Sequence, residues 1–419
     1  MRKELFGILL VSIVACTPVP DVPDEIAVVS TDLPKSSKRG VSFNFSIADD
    51  AVLLSPYISW NYNWGPDITD DVIPVWFDQN QVEFCPMAWN QSFNATRIRE
   101  YAKAHPQVRY LLGFNEPNLK DQCNLTPAQA AHYWPRVVRL AKELNLKLVS
   151  PAMNYGTLEG YSDPIKWLDE FFAIDSISID DIDAISVHAY MGTATATIGY
   201  LDRFRKYGKP VWLTEFCAWE PIVSSVESQM SYMCTMLNYL EQSDLVERYA
   251  WFIPRFSMAT SSYPYMQLLT KTAPYQLTDL GKLFCSFSSM DKSVWLDASQ
   301  PVSAEKYVSV NDYSVQVRIS PLDSSLMLYA FSKGQKVDYQ IYLPASVNQL
   351  KIEYAALAES EVLIYVDGQA LAFFSLPKTG DVMSAMETCL LDVPVLQGTH
   401  TVSFEMSRGT INLNKFSLL

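Results

Sequence analysis

Two glutamates could do chemistry as a pair. Glu116 lies in the stretch Tyr110-Leu111-Leu112-Gly113-Phe114-Asn115-Glu116-Pro117-Asn118, and Glu215 in Pro210-Val211-Trp212-Leu213-Thr214-Glu215-Phe216. In each, a short apolar run that reads as a buried strand delivers a carboxylate at its carboxyl end. In parallel α/β architectures that rim is where reactive groups collect. Pro117 disfavours a helical backbone at the residue before it, so Glu116 is expected to be extended. Two such carboxylates are the minimum equipment of retaining glycoside hydrolysis, one as acid and base, the other as nucleophile. The two lie far apart in the chain, so only a closed tertiary structure brings them together.

The intervening elements fit that requirement. Strand-like runs at 41–45, 57–60, 82–87, 108–114, 147–150, 182–188, 211–214 and 249–252 alternate with helical stretches at 96–105, 126–144, 165–172, 201–207 and 226–243. Thr126 is placed as an N-cap with Pro127 at the first helical position. Eight strands with helices between most of them predict an α/β fold, a (β/α)8 TIM barrel. After about residue 291 the helical periodicity gives way to short alternating runs at 314–319, 325–331, 338–343, 349–355, 362–366 and 401–406, with turn signals at Asp367-Gly368 and Gln397-Gly398. That pattern predicts an all-β sandwich domain following the barrel.

Several ordered motifs resemble clan A glycoside hydrolases, and more finely glycoside hydrolase family 128, the endo-β-1,3-glucanases. They are Lys38-Arg39-Gly40-Val41, Ser59-Trp60-Asn61-Tyr62-Asn63-Trp64, Cys85-Pro86-Met87-Ala88-Trp89, Gly113-Phe114-Asn115-Glu116-Pro117-Asn118, Val187-His188-Ala189-Tyr190, Thr214-Glu215-Phe216 and Trp251-Phe252. The resemblance implies that Glu116 is the acid/base and Glu215 the nucleophile. It implies that Asn115 bonds the sugar 2-hydroxyl and that His188 and Tyr190 line the subsite of the reacting sugar, with Tyr190 near the nucleophile. Asn154, after the fifth strand, has the same placement. Asn61, within the second of these motifs, is a further expected substrate contact, and Trp60, Trp64, Trp89, Trp219 and Trp251 fall near strand ends, where an aromatic face can cover the axial hydrogens of a glucose ring. For each tryptophan, packing in the core is the ordinary alternative. Ser303-Ala304-Glu305-Lys306-Tyr307, Val366-Asp367-Gly368, Gly398-Thr399-His400-Thr401-Val402 and Asn412-Leu413-Asn414 resemble a family 6 carbohydrate-binding module, although Gly380-Asp381-Val382 stands where that family has a cleft tryptophan.

Composition narrows the remaining classes. Among 419 residues, 49% are hydrophobic and 19% charged, which suits a folded chain rather than a disordered one. A net charge of −14 argues against nucleic acid and suits a neutral polymer. Arg2 and Lys3 followed by a short apolar run read as an export signal, too short to span a bilayer. Ile13-Val14-Ala15-Cys16 resembles a bacterial lipobox, which implies a lipid on Cys16 and a cell-envelope address at the outer membrane or cell surface. The expected organisation is therefore a lipoprotein signal at 1–16, a linker at 17–38, the hydrolase domain at 39–290 and the β domain at 291–419. The expected state is a monomer whose membrane contact is the lipid alone. Cys85, Cys123, Cys217, Cys234, Cys285 and Cys389 have no metal-site spacing and read as buried thiols. No cofactor and no metal are expected, and β-glucan is the expected partner; a glycosidase acting on another β-glycan (mannan, xylan or mixed-linkage glucan) and a surface lipoprotein that binds glycan without cutting it are the alternative readings.

Overall fold

The computed structural model describes residues 28–219, 222–256, 265–380 and 386–419. The export signal, Cys16, the linker up to residue 27 and Asp381-Val382 lie outside the described residues.

In chain order the first strands are β1 (Val28–Ser30), β2 (Arg39–Ser42), β3 (Trp60–Tyr62), β4 (Glu83–Phe84), β5 (Tyr110–Leu112), β6 (Lys147–Val149), β7 (Ile185–Ala189), β8 (Val211–Phe216) and β9 (Val246–Trp251). Parallel pairing joins β4-β3-β2-β9-β8-β7 in one sheet and β5-β6 in another. Single parallel bridges, Met87 with Leu112 and Val149 with Ala184, connect the two groups. Pairing thus runs from β2 round to β9 and back to β2, a TIM-barrel-like arrangement. Gly40 lies where a Cβ would meet the Trp60 indole nitrogen at 2.5 Å, so a larger residue there would force β2 away from β3.

The ring is filled rather than hollow. Trp60, Tyr62, Met87, Tyr110, Leu112 and Trp212 pack inside it. At its floor the Arg248 guanidinium stacks 4.5 Å from the Trp212 ring and 4.6 Å from the Tyr110 ring, and pairs with Glu83 at 2.7 Å. Pairing and stacking offset the cost of burying that charge.

The outer helices follow sequence signals with shifted ends. The helix Pro127–Glu143 is capped by Thr126, whose side chain and that of Gln129 form a reciprocal capping box. The helix expected at 201–207 is instead Ala194–Asp202 followed by a 3-10 turn, Arg203–Tyr207. The helix Val226–Gln242 is buried on two sides. One face packs on the barrel; the other presents Ser231, Cys234, Asn238 and Gln242, at helical spacing, to the C-terminal domain.

That domain comprises β10 (Val294–Asp297), β11 (Val302–Ser303), β12 (Ser309–Val310), β13 (Gln316–Ile319), β14 (Leu326–Ser332), β15 (Lys336–Ala355), β16 (Ser360–Val366), β17 (Gln369–Leu376), β18 (Glu387–Arg408) and β19 (Thr410–Leu418). They form a large, mostly antiparallel sheet in the order β13-β14-β19-β15-β18-β16-β17, with the shorter strands beside it. Two expected strands, 338–343 and 349–355, are one continuous β15 whose register with β18 shifts between Leu343 and Gln349. Gln397-Gly398 accordingly lies within β18 and does not separate strands. Asp367-Gly368 does turn the chain, at φ 49° and 76°, between β16 and β17. The expected linker is corrected from residue 28 onward, because Val28–Ser30 pairs in parallel with Val294–Leu296 and extends the C-terminal sheet.

Candidate active site

Both glutamates stand at the carboxyl ends of barrel strands. After β5 the chain bends so that Asn115 N donates to Trp89 O at 2.8 Å and Glu116 N to Ala152 O at 3.0 Å. Glu116 has φ 44°, in the left-handed region, and not the extended backbone expected from Pro117. Strain of this kind persists only where surrounding bonds fix it, and the Glu116 and Asn115 amides are both tied to neighbouring loops. Glu215 is the fifth residue of β8. The β7–β8 register slips there, pairing Val187 with Leu213 but His188 with Glu215. The extra residue, Thr214, turns inward and its hydroxyl meets that of Ser186 at 2.7 Å.

The two carboxylates share a third group. His188 Nδ1 lies 2.8 Å from Glu116 Oε1 and 3.5 Å from Glu215 Oε2. Asn154 Nδ2 also donates to Glu116 Oε1, at 3.0 Å. Glu215 Oε1 accepts from the Tyr62 hydroxyl and the Trp64 indole N–H, each at 2.7 Å. The Tyr190 hydroxyl donates to Glu215 Oε2. One ligand-type atom from each of Glu116, His188 and Glu215 lies within 4.8 Å of the other two. Glu116 Oε1 and both oxygens of Glu215 thus already accept N–H or O–H donors, an arrangement that can hold and move a proton. Burial alone would push the Glu116 carboxyl up; the charge of His188 and the hydrogen bonds from His188 and Asn154 outweigh it and hold the group below the usual carboxylate value. Burial pulls His188 down, but the charges of Glu215 and Glu116 raise it above its ordinary 6.5.

A cleft of about 490 Å³ opens over this pair. Of the residues expected there, Asn115, Trp64, Trp89, Asn154, Tyr190 and Trp219 line it together with Glu116 and Glu215. Four others do not. Trp60 is buried inside the ring beneath Tyr62, with its indole N–H donating to Lys38 O. Asn61 is buried and spends its amide on the carbonyls of Val41, Phe43 and Tyr62, latching strands together. Trp251 packs against Phe216 and donates to Met266 O. His188 is wholly buried below the carboxylates, and so holds them rather than facing the cleft.

Three lining residues were missed: Leu119, Gln122 and Phe252. Phe252 was recoverable, because neighbours in a strand point to opposite sides, so Trp251 and Phe252 cannot both face the cleft. Leu119 and Gln122 sit on a loop with no periodic signal. Gln122 Oε1 accepts from Asn115 Nδ2 at 3.1 Å. Tyr62 was also missed as a contact of Glu215; its place two residues before Trp64 was the available clue.

Residues 40–284 match the family model described as glycosyl hydrolase catalytic core. A glycoside hydrolase family 128 (subgroup II) endo-β-1,3-glucanase from Pseudomonas viridiflava is 39% identical, with a TM-score of 0.53, over 60% of this chain and 98% of that one. One from Sorangium cellulosum is 33% identical, with a TM-score of 0.53, over 59% of this chain and 98% of that one. Among curated proteins, alkali-sensitive linkage protein 1 of Schizosaccharomyces pombe is 26% identical over 262 residues, 60% of this chain, which spans only 45% of that relative's length. The chain therefore belongs to the glycosyl hydrolase catalytic core family and, by these relatives, to glycoside hydrolase family 128.

Proposed function

We propose that this protein is a retaining endo-β-1,3-glucanase. The observation that carries the mechanism is the closeness of the two carboxylates: His188 Nδ1 lies 2.8 Å from Glu116 Oε1 and 3.5 Å from Glu215 Oε2, and the nearest oxygens of the pair approach within 4.8 Å, which favours the narrower of the two known arrangements. Retaining glycosidases keep these groups about 5–5.5 Å apart, whereas inverting ones leave about 6.5–9.5 Å for a water. Glu116 gives its proton to the departing oxygen as Glu215 attacks the anomeric carbon. Water then releases the sugar while Glu116 takes the proton back. Support for β-1,3-glucan and for internal cleavage comes from the two family 128 relatives, both endo-β-1,3-glucanases. The aromatic lining of Trp64, Trp89, Tyr190, Trp219 and Phe252 suits the apolar faces of glucose rings.

The catalytic domain, residues 39–290, is read as a complete (β/α)8 barrel and residues 291–419 as a β-sandwich similar to a family 6 carbohydrate-binding module. Lipidation of Cys16 would tether the monomeric enzyme to the cell envelope, where it meets the glucan.

The test is digestion of linear β-1,3-glucan, mixed-linkage glucan, mannan and xylan by protein lacking residues 1–16, with product sizing and NMR of the first-formed anomer. A ladder of oligosaccharides from β-1,3-glucan with β anomers is expected. A ladder from another polymer would overturn the substrate, and α anomers the mechanism.

A further inference from the structure

The tryptophan at the mouth of β3 faces the cleft, yet its polar edge is already committed. The Trp64 indole N–H and the Tyr62 hydroxyl both donate to Glu215 Oε1, each at 2.7 Å. A carboxylate oxygen has two acceptor positions, and these two donors fill both. Glu215 Oε2 receives the Tyr190 hydroxyl, and His188 Nδ1 stands off at 3.5 Å, so one of its positions stays open.

The surroundings fix Trp64 in this role. Its backbone has φ 62°, a left-handed conformation that a bulky side chain rarely adopts. Asn63 holds the bend: its Oδ1 accepts from Gly65 N at 3.0 Å and its Nδ2 donates to Asp67 O at 2.9 Å. Met87 N donates to Gly65 O at 2.9 Å and ties the loop to the segment that follows β4. The Trp64 ring meets the edges of Tyr62 at 5.5 Å and Phe252 at 6.1 Å, which fixes where its N–H points.

We infer that Tyr62 and Trp64 form a two-donor clamp on Glu215 Oε1 that reserves Oε2 for attack and speeds release of the sugar from the enzyme. The inference rests on the retaining reading above. In the first step a lone pair of Oε2 forms the bond to the anomeric carbon. The bond to the leaving oxygen breaks, and that oxygen takes the Glu116 proton. Oε1 becomes the carbonyl oxygen of the ester and keeps both donors. In the second step water adds to the anomeric carbon and yields a proton to Glu116, and the electrons of the Oε2–carbon bond return to the carboxylate. Negative charge grows again on Oε1 as that bond breaks, and the clamp stabilises it. Donors aimed at charge that develops in a transition state accelerate that step. In the first step the same donors stabilise the starting carboxylate and give no such help.

The experiment compares the parent protein with Trp64→Phe, which keeps an aromatic ring and loses the N–H. The substrate is a dinitrophenyl β-1,3-linked glucobioside, whose good leaving group makes the second step limiting. A hydrogen bond to a charged group contributes enough that kcat should fall about tenfold to a hundredfold. KM should fall with it, a burst of dinitrophenol should precede steady state, and a glycosyl adduct on Glu215 should accumulate. Tyr62→Phe should show the same signature, with melting temperature as the control for folding. An unchanged kcat, or a raised KM at unchanged kcat, would overturn the clamp and make Trp64 a stacking surface only. Treating the parent protein with a 2-deoxy-2-fluoro analogue of the substrate separates the two ideas. An adduct on Glu215 there with no burst in Trp64→Phe overturns the clamp alone, and no adduct at all overturns the retaining reading with it.

Discussion

The Tyr307 hydroxyl donates to Asn238 Oδ1 at 2.8 Å, joining the C-terminal domain to the barrel helix that follows the Glu215 strand. Asn238 is wholly buried, and its Nδ2 donates to Tyr313 O and Val315 O at 2.9 Å each. One turn earlier, Cys234 Sγ exchanges contacts with the backbone of Val317 at 3.4 Å. The helix Val226–Gln242 therefore has no solvent face of the usual kind.

Asn238→Ala should leave two carbonyls and a phenol unpaired. At about 1–3 kcal/mol for each buried orphan, a loss of about 3 kcal/mol or more is expected by denaturant titration, with kcat of the folded fraction unchanged. A chain ending at residue 290 should fail to fold, read by circular dichroism and activity, because it exposes that whole face.

Replacing Glu215 by Gln should lower kcat at least about a thousandfold on β-1,3-glucan. Glu116→Ala should lose about a hundredfold to ten-thousandfold on the polymer. It should lose far less on a substrate whose leaving group needs no proton, and azide should restore its turnover. Reducing-sugar release that survives Glu215→Gln would remove the nucleophile assignment.

The Glu116–His188 pair predicts where activity falls at high pH. His188 is raised above 6.5 and Glu116 is lowered, so the pair keeps one proton to above pH 6.5, and its titration belongs to both groups. The acid needs that proton, so the basic limb of kcat/KM should lie above 6.5. In His188→Asn the carboxyl stands alone and the basic limb should move to lower pH. The same charges act on stability. A raised His188 stabilises the fold below its unfolded value, an effect lost as pH rises through its folded value. A lowered Glu116 stabilises above its unfolded value, an effect lost as pH falls through its folded value.

Glu305 should impose the opposite trend on the C-terminal domain. Burial first, and then the charges of Asp32 and Asp323, push its carboxyl up to about 7, and Glu305 Oε2 has no partner. The folded state keeps a proton that the unfolded chain releases near 4.5, so stability declines as pH rises from about 4.5 to 7. Glu305→Gln should leave melting at pH 5 unchanged and raise it by a few degrees at pH 8, on the order of 1–3 kcal/mol.

Much of the site was legible because its signals are local. An apolar run ending in a carboxylate identified both Glu116 and Glu215. Trp64, Trp89 and Trp219 follow barrel strands closely enough to be placed at the rim. Trp60, Asn61 and Trp251 were misplaced because closeness to a strand end does not say which way a side chain points. Trp60 and Tyr62 lie on one side of β3, yet only the later of them reaches the carboxylate.

The sequence by itself determined the alternation of strands and helices, the change to β structure near residue 291, and the identity of the two carboxylates. Those are properties of short windows, where periodicity and chain geometry act within a few residues. The tertiary structure alone decided that His188 lies under both glutamates and that Thr214 is the residue displaced by the slip in β7–β8 register. It alone made Glu116 left-handed rather than extended and drew Val28–Ser30 into the C-terminal sheet. Each depends on contacts between segments far apart in the chain, whose distances and register no local pattern encodes.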